Sequence, residues 1–123
     1  MKYLCNLYYN TKKFDALTKD ALQAIVAECQ PHDAALKKTG QVSAIGRLAH
    51  NTAVTLRAQA GRTTTTEGGL NGGEDQIGAF MIVEARDLNE AVRIASLHPA
   101  ANTGEQLGWA VEVRPIQAFE QPS

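Results

Sequence analysis

The run Gln76-Ile77-Gly78-Ala79-Phe80-Met81-Ile82-Val83-Glu84-Ala85 constrains this chain more than any other segment. Successive side chains of an extended strand point to opposite faces, so Phe80 and Ile82 project to one side and Met81 and Val83 to the other. A strand apolar on both faces needs a cover on both, because each large apolar side chain left wet forgoes roughly 1.5–3 kcal/mol. The run Tyr3 to Tyr9 has the same character: Tyr3, Cys5, Leu7 and Tyr9 share one face, while Leu4 and Tyr8 flank Asn6 on the other. A chain of 123 residues suits one domain with one core, too small to cover both faces of its sheet with its own helices. A second copy of the chain is the simplest remaining cover, and the sequence predicts a symmetric homodimer.

The rest of the chain supplies the covering elements. Thr18 is placed to cap a helix with Asp20 in its first turn, and Leu22, Ile25, Val26 and Cys29 follow the spacing of a buried helical stripe. Pro31 lacks a backbone donor and disfavours helical geometry at Gln30, which predicts a kink or break before the helix resumes through Leu36 to Lys38 and stops at Gly40. Residues 41–50 and 52–59 read as two strands joined around Asn51, and Gly61-Arg62 as a turn into the four threonines 63–66, an edge strand. Glu67 to Asp75 holds four glycines and reads as a loop. Asp87 caps a second helix carrying Leu88, Ala91, Val92 and Ala95, ended by His98-Pro99, and residues 109–115 form a last strand. The resulting order, β-α-β-β-(β)-β-α-β, is the split βαβ, ferredoxin-like α+β plan with an inserted hairpin and both helices on one face of the sheet. Residues 1–116 form the domain and 117–123 a tail.

A formal net charge of −1, with acids and bases interspersed, leaves no basic field for a phosphate backbone, so nucleic acid is not an expected partner. No run approaches the ~20 apolar residues of a membrane span, and the opening residues lack a signal-peptide core. Cys5 and Cys29 lack the spacing of zinc ligands, and two free thiols without an export signal predict a cytoplasmic protein with no metal or cofactor.

The candidate chemistry lies in scattered polar residues. His98, at the end of the second helix, is either a terminal residue favoured by the helix dipole or a proton-transfer group. His32 would face the sheet on an unbroken helix, with its direction set by whatever Pro31 does. Glu67 and Asp75 bracket the glycine loop as turn formers or as an acid–base pair. Arg47 and Arg114 are candidate anchors for an acidic small molecule, Arg114 also for a cross-strand ladder with Glu112; His50 reads as an exposed turn residue. The glycines are no phosphate cradle, since no Gly-Lys-Ser/Thr and no helix start follow them.

Thr66-Glu67-Gly68-Gly69-Leu70, followed by Gly78-Ala79-Phe80, resembles the Thr-Asp-Gly-Pro-Phe…Gly-Gly-Phe signature of the YCII-related, or DGPF-domain, proteins. The opening Met-Lys-Tyr, His98-Pro99 and the ending Ala110 to Pro115 also fit that family. The resemblance implies a dimeric α+β barrel of ferredoxin-like halves, found mostly in bacteria. This chain departs from the motif, with Glu67 for its Asp, Gly69 for its Pro, Leu70 for its Phe and Gly72 for the following acid. The family's His–Asp dyad would fall near Glu28 or Cys29 and at His98, so it does not carry over intact. Two classes of function follow. One is a small-ligand-binding or regulatory module with a polar pocket. The other is a cofactor-free isomerase, lyase or hydrolase in which His98 or His32 works with Glu67 and an Arg holds the acidic group.

Overall fold

The two strands that are apolar on both faces are the two central strands of one antiparallel sheet. A computed structural model describes residues 1–70 and 74–122. Its elements are β1 (Lys2–Asn10), α1 (Thr11–Ala16), α2 (Lys19–Lys38), β2 (Val42–Arg47), β3 (Val54–Gln59), β4 (Arg62–Glu67), β5 (Asp75–Glu84), α3 (Leu88–Ala95) and β6 (Ala110–Pro115). Short 3₁₀ turns at Pro99–Ala101 and Glu105–Leu107 link α3 to β6. The sheet order is β2-β5-β1-β6 with every pair antiparallel, the ferredoxin-like arrangement expected from the element order.

On one face α2 and α3 bury the core. Tyr3 pairs with Val83 and Cys5 with Met81, and these four side chains pack with Leu36 of α2 and Ala91, Ile94 and Ala95 of α3. On the opposite face Leu4 pairs with Ile82 and Asn6 with Phe80, and no helix among the described residues packs over them. Phe80 lies across Gly46 of the neighbouring β2, where any Cβ would collide with its ring. Asn6 is buried on this face by a polar cross-strand cluster: its Nδ2 donates to Glu112 Oε1 at 3.4 Å, as does the Tyr8 hydroxyl at 3.4 Å.

Several sequence expectations change. α2 runs without a break through Pro31. Its two halves are pinned by Ile25 and Leu36, 2% and 1% exposed, while Pro31 and Ala27, whose carbonyl loses its amide partner, lie on the solvent face. α1 was not foreseen; Asn10 caps it by accepting from the Lys13 amide at 2.9 Å. The strands at 42–47 and 54–59 do not pair with each other: β2 joins the main sheet, and β3 pairs with β4 from Val54–Glu67 to Gln59–Arg62. Ala60 and Gly61 both have positive φ, 50° and 77°, the backbone of a two-residue turn whose twist suits a hairpin. The inserted hairpin is therefore a separate two-stranded ribbon. In α3 the buried stripe is Ala91, Ile94 and Ala95, and Leu88 and Val92 face solvent. The glycine-loop positions Gly72 and Gly73 lie outside the described residues. No described helix is long and apolar enough to cross a membrane.

Candidate functional site

α2 does not cover the whole of its face of the sheet. Beyond Leu36 the two separate around an open cavity of about 560 Å³, floored by Leu7, Ala79 and Ile45 and walled by Val26 and Cys29 of α2. Val26, Ile45 and Leu48 stay 55%, 40% and 48% exposed because they face this opening. A wide apolar concavity with a few polar groups is the usual form of a small-molecule site.

Two sets of polar groups stand out in and beside it, apart from Gln30 of α2. The first is built by the junction of β1 and α1. β5 carries one extra residue, Gly78, opposite the Leu7/Tyr8 step, and a Cβ there would lie 2.9 Å from Tyr9 Cδ1. The bulge and its glycine thus make room for the Tyr9 ring on the cavity side. The Tyr9 hydroxyl meets His50 Nδ1 at 2.5 Å, and His50 Nε2 meets Asp15 Oδ1 at 2.9 Å. Phe14, one residue before Asp15 on α1, stacks on the imidazole with ring centres 4.4 Å apart and touches Tyr9 edge-on at 5.7 Å. A carboxylate only accepts, so His50 Nε2–H donates to Asp15 and Nδ1 accepts the hydrogen bond of the Tyr9 hydroxyl. Burial, and then the negative charge of Asp15, push the Tyr9 phenol above its ordinary value of 10.0, so it holds its proton at neutral pH.

The second set is His98, Asp33 and Arg47. His98 is the N-cap of the 99–101 turn, and its Nδ1 accepts from the Ala100 amide at 3.0 Å. Burial lowers its proton affinity, Asp33 acts against that, and Arg47 adds to it. Arg47 forms no ion pair among the described residues, although the Asp33 carboxylate lines the same cavity. The Cys29 thiol is raised by burial and by the charges of Asp33 and Glu28, which disfavours the nucleophilic thiolate.

Of the six residues singled out from sequence, the cavity holds His98 and Arg47. His32 is half-buried on α2 but is not in the wall, which receives Asp33 instead. Glu67 is exposed at the end of β4 opposite Val54, outside the cavity. Asp75 opens β5 and accepts from Asn10 Nδ2 at 3.3 Å, outside the cavity. Arg114 lies on the helix-free face, 3.8 Å from Glu112. Sequence reasoning missed Tyr9, Asp15 and His50 as a group, and His50 is not the exposed turn residue expected, with 26% of its side chain exposed. The available signal was Asn10 as a cap with Phe14 four residues on, which together mark α1 and hence place Asp15.

The family model described as YCII-related domain matches residues 1–120. Among solved structures, the chain is similar to the 5-chloro-2-hydroxyhydroquinone dehydrochlorinase of Burkholderia phenoliruptrix, in complex with 2,5-dihydroxybenzoquinone. The two are 20% identical over 97% of this chain and 96% of that one, with a TM-score of 0.46. A comparison with curated proteins gives no match.

Proposed function

The chain belongs to the YCII-related family, and on that premise we propose that it is a cofactor-free acid–base catalyst acting on a small, largely apolar molecule with one acidic group. The observation that carries this reading is the Tyr9–His50–Asp15 relay beside an open cavity. Such a chain of bonds lets Tyr9 oxygen receive a proton from a bound molecule while its own proton passes to His50 Nδ1. The imidazolium that forms is then held by Asp15. Arg47 supplies the charge that would orient an acidic group, and the apolar wall accounts for the body of the ligand.

Solvent-deuterium exchange tests the proposal without knowledge of the natural substrate. Aromatic and aliphatic 2-oxo carboxylates are screened for binding by the fluorescence of Trp109, which lines the cavity. Bound compounds are then followed by proton NMR in deuterated water. The expected result is exchange next to the carbonyl that is faster with protein than without it. It should fall by roughly 10²–10⁴-fold in His50→Leu, with binding retained. Binding without any accelerated exchange would favour the ligand-binding or regulatory reading instead.

We further propose that the helix-free face is covered by a second copy of this chain. Leu4, Tyr8, Phe80 and Ile82 lie there only half-buried, and the hairpin leaves Val54 and Leu56 62% and 65% exposed. An isolated two-stranded ribbon is marginal in water, which supports a role for it in the same assembly.

A further inference from the structure

We infer that His98 is a fixed hydrogen-bond donor for an oxyanion, and that the site therefore takes carbonyl compounds which form an enolate or phenolate-like oxygen, with Arg47 beside it as the countercharge. The inference rests on the acid–base reading for its reaction but on separate atoms for its geometry. An imidazole that accepts at Nδ1 from a backbone amide, as His98 does from Ala100, must carry its proton on Nε2 when neutral. Nε2 has no bonding partner among the described residues, and the ring lines the cavity. Because the Ala100 amide sits in the turn that His98 itself caps, the tautomer is built into the backbone. Arg47 from β2 and Asp33 from α2 are the charged groups facing it. Burial, and then Arg47, lower its proton affinity against the pull of Asp33, which favours the neutral ring with its proton on Nε2.

The balance of the step is complete with groups present. The substrate C–H bond breaks and its proton joins Tyr9 oxygen, while the phenolic proton moves to His50 Nδ1. The C–H electron pair becomes the new carbon–carbon double bond, and the carbonyl π pair moves onto oxygen, where His98 Nε2–H and Arg47 meet it. Return of the proton at another carbon gives isomerisation, and loss of a β-substituent gives elimination. A donor aimed at an oxyanion contributes on the order of 10²–10³ in rate. This role differs from that of a proton shuttle, because the Nε2 proton never leaves.

The test uses 4-nitrophenol as the oxyanion probe, with its ionisation read by absorbance, and nitrogen-15 NMR of the imidazoles. Wild-type protein should bind the phenolate in preference to the phenol. His98→Leu should weaken phenolate binding roughly 10–100-fold. His98→Gln, which keeps an N–H donor but cannot shuttle a proton, should restore most of both binding and exchange rate. The His98 ring should show protonated Nε2 and bare Nδ1 near neutral pH, a readout that needs no variant to fold. Phenolate binding that survives in His98→Leu, or a protonated Nδ1, overturns the inference. If phenolate binding depends on His98 but wild type exchanges no deuterium, the donor stands and the catalytic reading falls. If wild type exchanges and His98→Leu exchanges equally fast, the donor falls and the relay stands.

Discussion

Burial holds the folded His98 below the ordinary histidine value of 6.5, against the pull of Asp33 and with the help of Arg47. Below pH 6.5 the unfolded chain therefore carries more protons at this position than the folded one. The stability that His98 contributes in its neutral form is complete above that pH and is lost as pH falls through the folded value. The free energy of unfolding should thus decline on acidification from pH 6.5, and His98→Gln should flatten the decline in urea titrations at stepped pH. A variant with the wild-type slope would show that other groups govern it. Residue types singled out His98, a lone His before a Pro, and Arg47, a cation within a strand, and both line the cavity. Tyr9 and His50 were not legible in that way: Tyr9 reads as one more apolar strand residue, and 41 positions separate it from its partner. Only the bulge at Gly78 and the path of the β2–β3 link bring them into contact.

At the level of elements, α2 shows where local rules mislead. A proline in a helix interior removes a bond and crowds the preceding turn, at a cost of about 3 kcal/mol relative to Ala, yet α2 continues past Pro31. Ile25 and Leu36 are each locked in place by long-range packing, and that packing outweighs the local preference. The cost should still be recoverable. Pro31→Ala should raise stability by about 1–2 kcal/mol, the helix gain less the part offset by a freer unfolded chain. Urea unfolding followed by far-ultraviolet circular dichroism would read it as a higher midpoint with an unchanged slope; no shift would mean that the helix had already relaxed around the proline. Strands β1 and β5 were legible as apolar runs, β6 by its alternation, and helix α3 by its cap, Asp87 with its bond from the Glu90 amide at 2.8 Å, all of them written locally. The pairing of β3 with β4 rather than β2 was less so, because it turns on Ala60 adopting a positive φ that alanine seldom takes. α1 escaped notice because it is only six residues long and buries no side chain fully.

Considered as a whole, the molecule divides its sheet between two tasks. The helix-covered face holds the core and, where α2 diverges, the cavity with its relay; the other face offers Leu4, Phe80 and Ile82 around a polar cluster at Asn6 and Glu112. Both follow from β1 and β5 being central strands with two apolar faces, which is why the sequence of those two strands foretold the architecture so well. The claim that follows most directly from those two strands is that a second copy covers the helix-free face. Light scattering on the size-exclusion peak, at micromolar concentration, measures it most directly. The expected mass is twice that of the chain for wild type and that of a single chain for Ile82→Asp, which places an unpaired charge on the helix-free face and outside the helix-covered core. A wild-type protein that elutes as a stable single chain would contradict it.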